Sequence, residues 1–212
     1  GTVRVRLTVG FPAEKALASL QAEASKALQR LTDLPVELEL VTSIVPHVVQ
    51  GTLVPLPGVK NVIAIASGKG GVGKSTTAVN LALALSAAGA RVGMLDADVY
   101  GPSQPLMLGL SGQQPESLDG KTFEPLTAHG IEVISVGFLV KDSTPVIWRG
   151  PMVTQAVQQL TFQCNWHDRD YLIVDLPPGT GDTQLTLSQK VPLTGVVIVT
   201  TPQEIAVQVA GR

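Results

Sequence analysis

Gly68-Lys69-Gly70-Gly71-Val72-Gly73-Lys74-Ser75 is the stretch that decides the fold, since it satisfies the pattern G-x-x-x-x-G-K-[ST]. An apolar run, Val62–Ala66, precedes it, and a stretch with helical character, Lys74–Ala88, follows it. In a strand, loop and helix of this order, backbone N–H groups converge on a phosphate at the positive end of the helix. The sequence therefore predicts a nucleotide-phosphate site. The alternative is a glycine-rich turn that only caps a helix.

Each residue type in this loop has an expected role at a triphosphate. Lys74 supplies a mobile cation for the β- and γ-phosphate oxygens, and the Ser75 hydroxyl is suited to ligate Mg²⁺. Thr76 and Thr77 are expected to face the α-phosphate. The predicted nucleotide-binding residues are Gly68, Lys69, Gly70, Gly71, Val72, Gly73, Lys74, Ser75, Thr76 and Thr77.

The second residue of the loop, Lys69, admits two interpretations. It lies close to the phosphates in sequence, yet it cannot easily fold back over its own site. One interpretation is a solvated lysine. The other is the deviant Walker A motif, K-G-G-x-G-K-[ST], which this stretch resembles and in which the lysine crosses a dimer interface to the partner's nucleotide. On that interpretation Lys69 is catalytic together with Lys74, and hydrolysis depends on dimerisation.

Two carboxylates follow the apolar run that ends at Leu95. This run leads into Asp96-Ala97-Asp98, and the period-two geometry of a strand points both acidic side chains to the same face. We expect Asp96 to support Mg²⁺ and Asp98, at the start of the loop, to direct the attacking water. The alternative is a pair of ordinary helix-cap or turn aspartates.

A third acidic residue closes another apolar run, Tyr171–Asp175, which has the Walker B pattern. Asp175 is therefore expected to hold Mg²⁺ through the water shell of the ion. The loop that follows is rich in proline and glycine and is either a passive turn or a switch that orders with ATP and relaxes after hydrolysis. We favour the switch, and its expected residues are Pro178, Gly179, Gly181 and Asp182.

Short apolar runs recur along the sequence from Val62 onward, and segments of helical or irregular character separate them. Such runs are typical of strands buried on both faces of a parallel sheet. The predicted fold is α/β, a doubly wound and mostly parallel sheet with its ligands at the carboxyl ends of the strands. The runs are Val62–Ala66, Arg91–Leu95, Ile131–Val136, Tyr171–Val174 and Val196–Thr200, and the expected helices are Lys74–Ala88, Pro151–Gln163 and Thr183–Gln189.

The N-terminal quarter of the sequence has a different texture. Val3–Val9 and Val36–Val41 alternate apolar and polar residues, and Ala13–Leu31 carries one apolar stripe at helical spacing. Prolines and glycines then interrupt any regular element. We therefore predict a partial small α/β domain over residues 1–50, a linker over 51–60 and the P-loop ATPase domain over 61–212.

Composition excludes several classes of protein. The 212 residues carry a formal net charge of -2 and no cluster of basic residues, which argues against nucleic acid or an anionic membrane as partner. Cys164 is the only cysteine, so this chain alone completes neither a disulfide nor a cysteine-rich metal site. No stretch reaches the roughly 20 apolar residues that a membrane-spanning helix needs. We expect a cytoplasmic protein.

With these motifs in view, the run Val59–Gln208 closely resembles the Mrp/ApbC family of P-loop ATPases, which act as iron–sulfur cluster carriers. The P-loop motif is shared with a larger deviant-Walker-A group that includes MinD and ParA. The strings Asp96–Ser103 and Pro177–Asp182 are more specific to the Mrp/ApbC branch. The strings that carry the resemblance are Ser67–Thr77, Asp96–Ser103, Trp148–Pro151 and Pro177–Asp182.

The resemblance implies a homodimeric, Mg²⁺-dependent ATPase that binds a [4Fe–4S] cluster and transfers it to apo iron–sulfur proteins. The first residues, through Val49, resemble part of the small iron–sulfur-assembly domain often fused ahead of these ATPases. In the family a C-x-x-C pair beyond the segment matching Thr200–Gln203 bridges the cluster between two subunits. This sequence ends before that position, so the cluster ligands are not in this chain and we expect a fragment, incomplete at both ends.

Two other functions stay open at this point. The first is a switch of the MinD/ParA kind, in which nucleotide-driven dimerisation positions a membrane- or DNA-associated cargo. Such a protein would be expected to show a C-terminal amphipathic helix or a basic surface. The second is an inactive product that cannot complete its sheet.

Overall fold

The computed structural model of the chain describes residues 1–47, 53–117, 119–139, 150–179, 184 and 189–211. In the described part the strands form two sheets, one of two strands and one of six. The two-stranded sheet belongs to the N-terminal quarter of the chain, and the six-stranded sheet belongs to the remainder. The domain boundaries expected near residue 50 stay a prediction.

The N-terminal unit is a strand, a helix and a second strand. β1 (Val3–Val9) pairs in parallel with β2 (Val36–Thr42), and α1 (Leu17–Gln29) connects them after a 3₁₀ turn. This is the order that the alternating runs and the helical stripe predict. The unit also contacts the rest of the chain, because the Glu14 N–H donates to the carbonyl of Ala88 at 3.0 Å.

The six-stranded sheet has the order β5-β6-β4-β7-β3-β8. All neighbouring strands pair in parallel except β5 and β6, which are antiparallel. The mostly parallel α/β fold is therefore confirmed. The strands are β3 (Val59–Ala66), β4 (Val92–Asp96), β5 (Leu126–Ala128), β6 (Ile131–Ser135), β7 (Arg169–Asp175) and β8 (Gly195–Ile198).

The apolar runs behave as expected in the centre of the sheet. β4 and β6 are buried along their whole length, and the last four residues of β7 are buried as well. The expectation of burial on both faces is wrong for β8, whose residues are exposed. Among the described strands β8 lies at the edge of the sheet, where its neighbour is β3 alone. A central strand has a neighbouring strand on each side and is covered by helices, so its side chains are buried. An edge strand has one neighbouring strand and is less covered.

Four helices accompany this sheet in the described residues. α2 begins directly after the P-loop, where Gly73 has a φ of 87° that favours glycine, and it ends before the left-handed Gly89. α3 is one short turn after β4. The helices are α2 (Lys74–Ala87), α3 (Gln104–Met107), α4 (Gly150–Gln163) and α5 (Glu204–Ala210).

Most element boundaries agree with the sequence predictions, and the differences are local. β3 begins at Val59, so its first two residues lie inside the predicted linker. The short elements β5 and α3 were not expected, since three or four residues are too few to show a period. The predicted helix Thr183–Gln189 falls almost entirely outside the described residues, as do residues 48–52 of the boundary region.

Candidate nucleotide site

The P-loop connects β3 to α2 at the carboxyl end of the central strands. Gly71 and Gly73 have φ values of 76° and 87°, which side chains rarely adopt. Gly70 does not have such a φ, and a Cβ built on Gly70 would meet no atom within 4 Å. The described part of the fold therefore gives no steric reason for glycine at position 70. Close approach of a ligand to the loop gives one, and a bare loop backbone is what phosphate binding requires.

Lys74, the first residue of α2, turns its ammonium inward and is 6% exposed. Its Nζ atom lies 2.5 Å from Oδ1 of Asp175 and 3.4 Å from Oδ2 of Asp98. The Ser75 hydroxyl is 3.2 Å from the same nitrogen. The structure thus brings together four of the residues that the sequence assigned to the triphosphate, to Mg²⁺ and to the attacking water. The Lys74 ammonium lies between the carboxylates of Asp98 and Asp175 and is the cation that pairs with both.

Asp96 and Asp175 lie opposite each other in the parallel register of β4 and β7, and both are fully buried. Burial first, and then the charge of Asp175, raise the pKa of Asp96 to about 7. Three donors offset part of this effect. Asp96 accepts hydrogen bonds from the Asp98 N–H at 3.2 Å, the Gln104 N–H at 3.1 Å and the Ser135 hydroxyl at 3.0 Å.

The two carboxylates of Asp96-Ala97-Asp98 have different surroundings. Both oxygens of Asp96 accept hydrogen bonds from the protein, as described above. Asp98 instead uses Oδ1 to accept bonds from the N–H groups of Tyr100 and Gly101, at 3.2 and 3.3 Å, and leaves Oδ2 near Lys74. Of these two aspartates, Asp98 is therefore the one that directs a carboxylate oxygen, Oδ2, toward the ammonium of Lys74. The metal role expected for Asp96 stays a prediction.

Gln104 is a residue of this site that the sequence did not indicate. Its side chain is completely buried, and Nε2 donates to Oδ2 of Asp175 at 2.9 Å and to the carbonyl of Ser75 at 3.0 Å. Glutamine at the start of a one-turn helix has no periodic or compositional signal. Its position six residues after Asp98, as the first residue of α3, was the only available hint.

The remaining predicted site residues are arranged as follows. Lys69 is exposed, and Thr77 donates its hydroxyl to the carbonyl of Gly73 at 2.9 Å. Gly179 has a φ of 112°, and its N–H donates to the carbonyl of Ser67 at 2.8 Å, which connects the predicted switch to the base of the P-loop. Gly181 and Asp182 of the switch, and Trp148 and Arg149 of the third motif, lie outside the described residues.

The residues present fit a nucleotide with Mg²⁺. A bare loop at Gly70, the buried ammonium of Lys74 and the hydroxyl of Ser75 are the types of group that a phosphate and a hard cation require, and Asp175 adds the oxygen ligand type that Mg²⁺ prefers. Among the described residues no three His, Cys, Asp or Glu side chains converge as a preformed metal site. This agrees with Lys74 holding the position between Asp98 and Asp175.

The same residues do not fit an iron–sulfur cluster. Such clusters are held mainly by cysteine thiolates, usually four. The 212-residue sequence has one cysteine, Cys164, and that residue is buried. Burial, together with the negative charges of Glu132 and Glu124, raises the pKa of the Cys164 thiol far above its usual range. A neutral buried thiol is a poor ligand.

Residues 58–212 match the protein family ParA, described as the NUBPL iron-transfer P-loop NTPase. The chain belongs to this family. The match covers the P-loop, both Asp motifs and the whole six-stranded sheet. It confirms the resemblance to cluster-carrier ATPases that the motifs indicated.

Relatives within this group carry names that agree with the family. The iron–sulfur cluster carrier protein of Pseudomonas fragi is 59% identical over 80% of this chain and 60% of that protein. The carrier protein of Escherichia coli K12 is 49% identical over 97% of this chain and 56% of that protein. The mouse iron–sulfur cluster transfer protein NUBPL is 55% identical over 74% of this chain and 50% of that protein. The chain therefore spans 50 to 60% of the length of these three relatives.

Solved structures give the same fold. A nucleotide-binding protein from Archaeoglobus fulgidus, solved in complex with ADP, is 39% identical with a TM-score of 0.62, over 72% of this chain and 60% of that chain. The cell division ATPase MinD of Pyrococcus furiosus, at 21% identity and a TM-score of 0.50, covers 71% of this chain and 63% of its own. The likeness to MinD shows the fold alone. In the described residues no helix has the length and apolar character to cross a bilayer.

Proposed function

We propose that this chain is the ATP-binding and ATP-hydrolysing part of an iron–sulfur cluster carrier. The observation that carries the proposal is the buried Lys74 ammonium, held among Ser75, Asp98 and Asp175 at the mouth of an open glycine loop. This arrangement brings phosphate-binding and Mg²⁺-binding groups together at one point. The family match and the named relatives supply the direction of the proposal toward cluster transfer.

The chain's own groups have distinct tasks in this proposal. The amides of the P-loop and Lys74 bind the phosphates, and Ser75 and Asp175 hold Mg²⁺, which neutralises charge that develops on the phosphate oxygens. When a triphosphate binds, Lys74 exchanges carboxylate partners for phosphate oxygens, and Asp175 becomes free for the metal. Asp98 orients a water for attack. The oxygen of that water bonds to the γ-phosphorus as the bond to the bridging oxygen of ADP breaks, and the proton of the water leaves by way of Asp98.

Asp96 supports this site from behind in our proposal. Its three hydrogen bonds come from Asp98, Gln104 and Ser135, so its carboxylate fixes the start of the loop that carries Asp98. The metal role expected from the sequence is then indirect. A carboxylate that holds the neighbours of a ligand is a common arrangement in metal sites.

We further propose that the active form is a homodimer in which Lys69 contacts the nucleotide of the partner subunit. Lys69 is exposed on the P-loop, which leaves its ammonium available to a second copy. The loop from Pro178 to Asp182 acts as the switch that senses the γ-phosphate. Its support is the hydrogen bond from Gly179 to Ser67, which connects the first part of this loop to the phosphate site.

The cargo in this proposal is an iron–sulfur cluster of the [4Fe–4S] type, delivered to apo iron–sulfur proteins in the cytoplasm. The names of the relatives support the assignment of an iron–sulfur cluster as cargo. The sequence itself gives no cluster-binding site in support, because Cys164 is the only cysteine. The chain contributes the nucleotide-driven step alone. Cluster ligands come from outside these 212 residues.

Isothermal titration with ATP and Mg²⁺, beside a phosphate-release assay, tests the nucleotide part of the proposal. The wild-type chain is expected to bind, and Lys74→Ala is expected to lose binding because the ammonium between the carboxylates and phosphates is gone. Lys121→Ala, at an exposed position away from the P-loop, is the matched control and is expected to bind like the wild type. Absence of binding to the wild-type protein, or equal binding to Lys74→Ala, would contradict the proposal.

A further inference from the structure

Gln104 occupies the point where three parts of the candidate site meet. Its side-chain nitrogen donates to Oδ2 of Asp175 on β7 and to the carbonyl of Ser75 in α2. Its main-chain N–H donates to Oδ2 of Asp96 on β4. The whole residue is buried at 0% exposure, which is rare for glutamine and calls for a specific reason.

The amide of Gln104 determines how Asp175 is presented. One carboxylate oxygen, Oδ2, is taken by Gln104, and the other, Oδ1, faces the ammonium of Lys74. A carboxylate bound at both oxygens by different partners has its rotation fixed. The same amide bonds to the carbonyl of Ser75, the residue whose hydroxyl is the proposed Mg²⁺ ligand. One side chain therefore fixes two neighbouring metal-binding residues.

The other end of this amide has no partner. Gln104 Oε1 is buried and accepts no hydrogen bond from any described residue. An unpaired buried acceptor is destabilising, so its presence next to the candidate site points to a donor that arrives with the ligand. Water molecules in the shell of a bound Mg²⁺ are donors of this kind.

We propose that Gln104 is a positioning residue for Mg²⁺ in this site. It orients Asp175 and Ser75 through Nε2 and offers Oε1 to the hydration shell of the metal. This inference rests on the proposed function, since it presumes that nucleotide binds with Mg²⁺. It adds a residue outside the P-loop and the acidic motifs, with a stated role and a stated partner for each polar atom.

A purely structural role for Gln104 makes a different prediction. The bonds that build α3 use main-chain atoms, including the Leu108 N–H to the carbonyl of Gln104 at 2.9 Å and the Gln104 N–H to Asp96. These bonds can form with any side chain at position 104 except proline. Substitution of the side chain therefore separates positioning of Asp175 from packing of the short helix.

The test is Gln104→Met, which keeps length and volume and removes both polar atoms. ATP affinity is measured by titration calorimetry twice, once with EDTA and once with saturating Mg²⁺. The affinity in EDTA is expected to stay within about twofold of wild type, whereas the gain in affinity that Mg²⁺ confers is expected to fall roughly tenfold or more. Gln113→Met, at an exposed position nine residues further along the chain, is the matched control and is expected to change neither value.

A double-mutant cycle shows whether Gln104 acts through Asp175. In the Asp175→Asn background, Gln104→Met is expected to cause little further loss of the Mg²⁺ effect, because the carboxylate that it orients is absent. Full additivity of the two losses would overturn the inference. So would an unchanged Mg²⁺ effect in Gln104→Met, or a loss of affinity that is equal in EDTA and Mg²⁺.

Folding and the proposed function are controlled separately. If Gln104→Met does not fold by circular dichroism, Gln104→Asn replaces it, since this variant keeps the amide but is one methylene too short to reach both partners. The Mg²⁺-specific loss is expected there too, and its absence overturns the inference. If wild-type protein shows no Mg²⁺-dependent ATP binding, the proposed function and this inference both fail. If the wild type shows it and the variants match the wild type, only the inference fails.

Discussion

Asp96 and Asp175 are register neighbours on the parallel strands β4 and β7, and both carboxylates are fully buried. Among the described residues, only Asp175 of this pair has a cation within ion-pair distance, the ammonium of Lys74. Asp96 is held by three neutral donors instead. The two acids therefore differ in their surroundings: Asp175 is paired with a lysine, whereas the pKa of Asp96 is raised to about 7, chiefly by burial.

This pair predicts how the stability of the nucleotide-free protein depends on pH. The pKa of Asp96 is raised from 3.8 in the unfolded chain to about 7, so the folded state binds an extra proton between these values. Its contribution to stability is complete below the unfolded value and is lost as pH rises through about 7. We expect the free energy of unfolding to fall by up to about 1 kcal/mol per pH unit between about pH 6 and 7.

Urea unfolding across that range measures the slope, and Asp96→Asn is expected to flatten it. Asp33→Asn, an exposed aspartate in the N-terminal unit, is the control and is expected to leave the slope as it is. A slope that survives Asp96→Asn would assign the titration to another group.

A second buried aspartate, Asp170, predicts the opposite pH dependence. Burial alone would raise its pKa, but hydrogen bonds from Arg91 and Lys60 outweigh burial and lower the pKa to about 2. Lys60 Nζ lies 2.8 Å from Oδ1, and Arg91 Nη2 lies 3.1 Å from the same oxygen. The resulting stability is present above the unfolded pKa of 3.8 and is lost as pH falls toward 2.

Asp170→Asn is therefore expected to destabilise the protein by about 2–3 kcal/mol at neutral pH, because two cations lose a buried partner. Asp168 is the matched control. It also pairs with Arg91, but its side chain is 67% exposed, and its φ of 54° suits asparagine. Asp168→Asn is expected to change the urea midpoint little, and equal effects of the two variants would contradict the role of the buried pair.

Two glycines of the P-loop predict a separation of binding from stability. A Cβ on Gly70 meets nothing within 4 Å, whereas a Cβ on Gly68 would lie 2.8 Å from Cγ1 of Val209 in α5. Gly70→Ala is expected to keep its melting temperature, because the new methyl group meets no protein atom within 4 Å. It is expected to lose ATP affinity by about tenfold, because in the proposed site the phosphates approach the bare backbone of this loop.

Gly68→Ala is expected to lose about 1–3 kcal/mol of stability through the contact with α5. Titration calorimetry with ATP and thermal unfolding of both variants provide the four values. Unchanged affinity in Gly70→Ala would show that phosphate does not approach the loop at that residue.

The sequence predicted the parts of this site whose residues have a fixed spacing. Asp96 and Asp175 each directly follow an apolar run, and the P-loop and Asp98 begin within three residues of one. Parallel strands bring their carboxyl ends to one edge of the sheet. The different surroundings of the Asp96 and Asp98 carboxylates were not predictable from period two. The strand β4 ends at Asp96, and N–H groups of the following turn orient the Asp98 carboxylate.

Gln104 and the edge position of β8 show a second limit. The contact of Gln104 with Asp175 joins residues 71 positions apart, and no local pattern records a contact at that separation. Burial of β8 was inferred from its apolar residues. The order of strands in the sheet, however, decides whether an apolar run becomes a central strand or an edge strand. Pairings between distant segments follow from packing of the whole sheet, and single-sequence patterns describe neighbours only.

Mixed dimers test whether Lys69 acts on the nucleotide of the partner subunit. If Lys69 contacts the partner's nucleotide, Lys69→Ala is expected to bind ATP like the wild type and to lose turnover, and Asp98→Asn is expected to lose turnover as well. A mixed dimer of the two variants then has one intact site, which combines Asp98 of one subunit with Lys69 of the other. An equal mixture, after exchange of subunits, is expected to recover about a quarter of the wild-type phosphate-release rate.

If Lys69 acts on its own nucleotide, each site of the mixed dimer lacks one required group and the mixture stays inactive. Full activity of Lys69→Ala alone would assign Lys69 to solvent.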